Sequence, residues 1–163
     1  MVVYKYYKEN SNISNDELFE LGSKKNSPKS LQMYYNIDKF SDKYDIPKHI
    51  AYNISYMETR YRGPYDWQYE SSRSSPSGAL GPMQIMISTS RKVNKESTST
   101  SKLKNDIQYN VETSMKLLHL LYEKYNSWEK ACGAYNTGRP IVNSYAKFCV
   151  NNLNYKNNWI KYE

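Results

Sequence analysis

The sequence is poor in the residues from which most metal and redox centres are built, with two histidines and two cysteines among 163 residues. His49 and His119 lie in no His-Glu-x-x-His or zinc-finger context, which argues against a zinc enzyme. Cys132 and Cys149 have no Cys-x-x-Cys spacing and can be read as two thiols or as one disulfide. Each falls in a predicted helix beside apolar neighbours, which favours buried thiols. No Gly-rich phosphate loop and no calcium-loop pattern occurs, so no metal or cofactor is expected. No apolar run is long enough to span a membrane. The opening "MVVYKYYKENSN" lacks the apolar stretch of a secretory signal, so no signal peptide is expected. Internal repeats are absent.

What the chain does contain suits a single domain with a genuine core, because a chain of this length buries roughly 70% of its unfolded surface. Tyrosine is abundant, at 18 residues. Its flat apolar face and hydroxyl suit a wet cleft that holds a polar ligand. The net charge is +7, which favours polyanions such as an acidic cell wall. The densest basic pairs, Lys24-Lys25 and Arg91-Lys92, form no arginine-rich helical stripe, so nucleic acid is not an expected partner.

Residues 1–30 read as a partly flexible leader, rich in Asn, Ser and Lys, with one short amphipathic piece around Leu18, Phe19 and Leu21. Residues 31–150 form the expected domain, and 151–163 an Asn-rich tail from which Trp159 and Ile160 dock back. Helical periodicity begins at Leu31, Tyr34, Ile37 and Phe40. Pro47 opens a second helix in which Ile50, Ala51, Ile54, Met57 and Tyr61 form a stripe, stopped by Gly63-Pro64. Residues 63–81 predict a loop or small hairpin. A short helix follows Gln84, and "NKESTSTSKLK" reads as an exposed low-complexity loop. Asp106 caps a long helix with a stripe at Ile107, Val111, Met115, Leu118 and Leu121. Helices over Trp128–Tyr135 and Ile141–Val150 complete a mostly α fold.

Glu58 ends the second helix beside Met57 and Ile54. Apolar neighbours, desolvation and the negative end of the helix dipole would all raise its pKa and suit it to donate a proton. On periodicity alone the plainer reading, a surface glutamate paired with Arg60 or Arg62, is the stronger one. Asp66 and Glu70, in a loop with Tyr65, Trp67 and Tyr69, are candidates for the second carboxylate of a glycosidase. Those aromatics suit a sugar-stacking wall and ordinary loop packing equally well. In "SPSGALGPMQIM" (75–86), two glycines and two prolines abut Met83, Ile85 and Met86. Glycine belongs where φ is positive or where backbone must approach closely.

Three blocks, "YMETRYRGP", "SPSGALGPMQIM" and "ACGAYNTGRPIVNSY", together resemble the signatures of the soluble lytic transglycosylases, relatives of goose-type lysozymes, in order over about Leu31 to Val150. The resemblance implies a lysozyme-like α-helical domain with the glycine-rich loop beside an active-site cleft. It implies that Glu58 is the catalytic acid and that Ser75, Gln84 and Met86 line a saccharide cleft. Tyr135 and Asn136 match a Tyr-Asn pair that closes over the glutamate, with Tyr135 placed to hydrogen-bond its carboxyl. Gly78 and Gly81 match glycines that pack the turn beneath the substrate.

The implied activity is cleavage of the β-1,4 bond between N-acetylmuramic acid and N-acetylglucosamine in peptidoglycan glycan strands, with 1,6-anhydro ends and one carboxylate acting as acid and then base. The absence of an acidic residue in the "MQIM" block favours this over hydrolysis. A muramidase using Asp66 or Glu70, or a non-catalytic wall-binding module, are the alternatives. The sequence departs from the family pattern at Thr59 (Ser), Pro82 (Leu), Ile87 (Pro) and Cys132-Gly133 (alanine-like residues). Without a signal peptide, delivery in a phage particle beside tail or other virion proteins, or release at lysis, would bring the domain to the wall.

Overall fold

The computed structural model describes residues 13–161. Among them are eight α-helices: α1 (Asn15–Gly22), α2 (Lys29–Lys43), α3 (Lys48–Thr59), α4 (Ile87–Asn94), α5 (Thr100–Asn105), α6 (Ile107–Tyr125), α7 (Trp128–Thr137) and α8 (Ser144–Asn151). A single 3-10 turn, Tyr155–Asn158, follows. The expected mostly α architecture is therefore observed. The small hairpin is reduced to two isolated antiparallel bridges, Ser74 to Leu80 and Leu80 to Ile85.

Helix α6 organises the core. Its Asp106 cap accepts from the Tyr109 amide. Its stripe at Ile107, Val111, Met115 and Leu118 is buried, while Leu121 is only half-buried. It packs against α2, α4, α5 and α7, and α3 joins through α2 and α8. Both cysteines are free and buried. Burial pushes the Cys149 thiol up, so it stays protonated.

Part of the expected leader, residues 1–12, lies outside the described residues. The remainder contains α1, whose Ser14 and Glu17 form a reciprocal capping box. Leu18 of α1 is buried against Leu31 of α2. At the other end, Trp159 packs on Gly63 and lies edge-on to Tyr52 at 5.1 Å, and the Ile160 amide donates to the Arg62 carbonyl at 2.9 Å.

Besides the second helix, which ends at Thr59 so that Tyr61 lies beyond it, two segments differ from the sequence reading. The tract expected as an exposed loop contains α5, because Ser99 caps it and Leu103, its sole large apolar residue, is fully buried. The last long helix begins at Ser144 rather than Ile141, since Asn143 caps it through the Ala146 amide. The preceding loop crosses α7 so closely that a side chain at Gly133 would collide with the Ile141 carbonyl. Glycine there permits packing that any other residue would block.

The glycine-rich connection is fastened by buried polar groups. Asn110, fully buried on the apolar face of α6, donates to the Leu80 and Leu103 carbonyls at 2.9 and 2.8 Å. Its carbonyl accepts the Met83 amide at 2.9 Å. Gly81, at φ +74°, lies so close that a Cβ would come within 2.5 Å of the Asn110 amide nitrogen. Pro82 fits here for a local reason. The Gln84 amide closes a turn onto the Gly81 carbonyl at 3.1 Å, which places Pro82 at the second turn position, where proline is favoured. Ile87 is the first residue of α4, a position that proline also accepts.

Replacing Asn110 with Ala removes three buried hydrogen bonds at once. It should lower the unfolding free energy by about 2–4 kcal/mol, because unsatisfied buried groups are costly. Pro82→Leu should lower it by no more than about 1 kcal/mol, the chain-entropy effect of proline. Urea denaturation of both variants checks the contrast.

Candidate active site

Glu58 is the penultimate residue of α3, one turn beyond the fully buried Ile54 and on the same helix face. The helix ends at Arg60, which adopts the left-handed conformation (φ 60°, ψ 37°), with its amide turned back to the Tyr56 carbonyl. The next residue, Tyr61, enters the core, and its hydroxyl donates to the Ser30 carbonyl at 2.7 Å. This abrupt stop leaves the Glu58 carboxyl half-buried at the head of a cleft of about 610 Å3.

The cleft brings Glu58, Ser75, Gln84, Met86, Tyr135 and Asn136 together. Burial raises the Glu58 pKa above the ordinary carboxylate range, opposed by a hydrogen bond from Tyr145. That bond, from the Tyr145 hydroxyl to Oε1, is 2.6 Å long. Burial and the adjacent carboxylate push the Tyr145 phenol well up, so it remains a donor.

Tyr135, the residue expected to hold the carboxyl, has a different partner. Its hydroxyl donates to the Met83 carbonyl at 2.6 Å and shares a 2.9 Å hydrogen bond with Ser114. Tyr145, on the following helix, takes the expected role. It closes the third sequence block, but it lies ten positions beyond Tyr135, and only the α7–α8 packing shows which hydroxyl reaches Glu58. Lys124, near the end of α6, also borders the cleft.

The other candidates divide by where their polar atoms are engaged. The Ser75 hydroxyl accepts the Ala79 amide at 3.0 Å and pairs with Ser77, closing its own turn. The Gln84 side-chain amide donates to the Gly81 and Arg73 carbonyls at 2.9 and 3.3 Å. Its backbone has φ 54°, an uncommon conformation for a residue with a side chain. These two residues therefore shape the wall of the cleft as well as bordering it. Met86 is exposed at the start of α4. The Asn136 side-chain oxygen accepts from the Asn143 side-chain amide at 3.1 Å. Of the glycines, Gly81 makes its close approach to Asn110 and Leu103, on the core side of the turn.

The structure does not bring Asp66 or Glu70 to the cleft. Asp66 is 3% exposed and faces the Arg62 guanidinium at 3.4 Å, beside a different depression. Glu70 accepts from the Ser72 amide and hydroxyl at 2.8 and 2.6 Å, which holds its pKa down at about 2. Of the two readings of the loop aromatics, packing is the one observed. Tyr65 and Trp67 pack with the Leu18–Leu31 cluster, and Tyr69 is buried in the core. Thr59 is fully buried, and its hydroxyl reaches the Pro82 carbonyl at 2.8 Å and the Tyr69 hydroxyl at 2.7 Å. A serine hydroxyl could make the same bonds.

Among the described residues no three of His, Cys, Asp or Glu gather as a metal-binding group, and no helix is long and apolar enough to cross a membrane. His49 and His119 lie against the Val150 and Tyr44 carbonyls, each at 3.1 Å.

The fold is shared with a solved protein, the 70-kDa soluble lytic transglycosylase in complex with bulgecin A. The TM-score is 0.55 at 19% identity, with 88% of this chain and 26% of that one covered. The chain thus spans about a quarter of that protein's length. No curated protein matches the sequence. Residues 35–157 match the transglycosylase SLT domain, and with three-quarters of its length in that match and every motif block at one cleft, the chain belongs to the transglycosylase SLT domain family.

Proposed function

We propose that this domain cleaves the β-1,4 bond between N-acetylmuramic acid and N-acetylglucosamine in peptidoglycan and leaves 1,6-anhydro ends. One observation carries the reading. Among the described residues that line the cleft, Glu58 is the sole carboxylate, and burial biases it toward its protonated form.

A protonated Glu58 donates its proton to the glycosidic oxygen as the bond to C1 breaks. The substrate's N-acetyl carbonyl stabilises the positive charge that develops at C1. Glu58, now a carboxylate, accepts the proton of the C6 hydroxyl as that oxygen attacks C1. Each proton lost is regained, so one residue completes the cycle. Tyr145 acts in both halves. Its hydrogen bond orients the carboxyl, and it stabilises the anion, moderating the pKa that burial raises.

Three measurements bear on this reading. Glu58→Gln should reduce wall lysis by at least about 100-fold, the low end of what a positioned general acid contributes, while circular dichroism stays unchanged. Mass spectrometry of wild-type digests should show 1,6-anhydromuramic acid ends. Hydrated reducing ends alone would mean hydrolysis instead.

The pH profile tests the acid. Because the Glu58 pKa is raised, activity should persist above the ordinary carboxylate range and fall as pH climbs through the elevated value. Tyr145→Phe removes the interaction that favours the anion. Its alkaline limb should therefore move to higher pH, even as the rate at the optimum drops. A limb that stays in place would show that Tyr145 does not tune Glu58.

A further inference from the structure

A depression of about 420 Å3 lies where α1 and the turn after it meet α2, α5 and the start of α6. It shares no lining residue with the cleft. Gln108 borders it near one end of α6 and Lys124 borders the cleft near the other, about 24 Å away along the helix axis.

The fold holds the rim of this depression in shape. A side chain at Gly22 would collide with the Leu31 carbonyl, so glycine lets the end of α1 press onto α2. The turn that follows is tied down. The Gln32 side-chain amide donates to the Lys25 and Ser27 carbonyls at 3.0 and 2.8 Å, and the Ser27 hydroxyl to the Lys24 carbonyl at 2.7 Å. Lys24 and Lys25, one of the two densest basic pairs in the sequence, are thereby presented from a fixed backbone. Lys102 of α5 adds a third ammonium, held over the Tyr109 ring at 4.1 Å. Among the described residues none of these lysines has a carboxylate partner. Asp106, the one acid among the described residues of the lining, is engaged in capping α6 through the Tyr109 amide. The depression therefore keeps an excess of positive charge, to which the start of α6 adds the positive end of its dipole.

Asn36 supplies an independent observation. It is 5% exposed and borders the depression from α2. Its Nδ2 donates to the Gln32 carbonyl at 2.8 Å, while its Oδ1 has no hydrogen-bond partner. A buried acceptor left unmet is costly, and a hydroxyl from a bound molecule removes that cost.

The two observations ask for two different groups on one ligand. Lysine is a point charge on a flexible stem, suited to singly charged phosphodiesters spaced along a chain, whereas the planar fork of arginine suits a terminal phosphate or carboxylate. Tyr35, the one aromatic residue of the described lining, already packs with Phe19 at 4.7 Å and Lys39 at 5.6 Å, so it is no open platform for a nucleobase. Phosphodiesters joined by hydroxyl-bearing carbons meet both needs. We propose that this depression binds a polyol phosphate polymer of the cell wall, an assignment that takes the wall as its setting from the reading above. Phosphodiester oxygens meet Lys24, Lys25 and Lys102, and a polyol hydroxyl donates to Asn36 Oδ1. With this site and the cleft toward opposite ends of α6, the polymer holds the domain on the wall while Glu58 meets the glycan.

Calorimetric titration of the intact chain with poly(glycerol phosphate) tests the site without any turnover. The triple variant Lys24→Gln, Lys25→Gln, Lys102→Gln should weaken binding by at least about 10-fold. A control triple, Lys92→Gln, Lys130→Gln, Lys147→Gln, makes the same charge change at exposed lysines elsewhere. It should cost no more than about 3-fold. Asn36→Leu should weaken the polyol polymer about 5-fold and leave inorganic polyphosphate unaffected, because the latter has no hydroxyl to donate. Circular dichroism checks the fold of each variant. Equal losses in the two triples, or no binding by the wild type, overturn the site. An Asn36→Leu chain that binds the polyol polymer normally, or loses both polymers alike, overturns the hydroxyl contact. Equally tight binding of oligodeoxythymidylate or of phosphatidylglycerol vesicles, lost in the same triple, overturns the assignment in favour of nucleic acid or membrane. Wild-type digestion of sacculi stands apart: failure to cleave them defeats the catalytic reading and leaves the titration to judge this site.

Discussion

The cleft depends on the capture of one turn. Between Leu80 and Met83 the backbone carbonyls that face inward are taken by side chains from separate helices: Leu80 by Asn110, Pro82 by Thr59 and Met83 by Tyr135. The Met83 amide is held by Asn110 as well. A turn buried without such partners would leave several main-chain groups unsatisfied, each costing about 1–3 kcal/mol. Because the three captors come from α3, α6 and α7, the turn also fixes those helices relative to one another. Met83 and Ile85, both buried, anchor it to the core.

This arrangement explains why the acid sits where it does. Thr59 and Glu58 are adjacent at the end of α3, so the bond that secures the turn also secures the backbone that carries the carboxyl. The Thr59 hydroxyl points into the protein while Glu58 faces the opening, and the left-handed stop at Arg60 prevents the helix from running on into the cleft. A half-buried carboxyl is disfavoured as an anion, and the short Tyr145 hydrogen bond offsets part of that penalty. The protonation of Glu58 is thus set by opposed effects, burial against one phenol.

How much of this the sequence revealed depended on whether the information was local. Stripes such as Ile107, Val111, Met115 and Leu118 repeat with the helix period, and they located α6 and its buried face. The motif blocks located Glu58 and the turn. Which hydroxyl meets which partner was not legible. Tyr135 and Tyr145 are both plausible donors by type, and only the packing of α7 on α8 separates them. Asn110 carried a signal that periodicity alone underweights, a polar residue on an apolar stripe, with Ser114 one turn later on the same face. Both serve the captured turn, Asn110 directly and Ser114 through Tyr135. Leu103, one apolar residue in a Ser/Thr/Lys tract, was enough to draw α5 onto the core.

The connection between Glu58 and Ser75 holds both candidates for a second catalytic carboxylate, and its actual use follows from cost. An unpaired aspartate buried as deeply as Asp66 would be strongly disfavoured, and Arg62 supplies the compensating charge. Glu70 spends its lone pairs on the Ser72 amide and hydroxyl, and that network keeps it ionised at any pH where the protein would work. Neither group is arranged to activate water at the cleft. The carboxylates of the connection are committed to shaping it and its aromatics to packing it, while Arg60 and Arg73 face solvent. Among the described residues that line the cleft no second carboxylate accompanies Glu58, so the base within reach there is the carboxylate that Glu58 becomes once it has given up a proton.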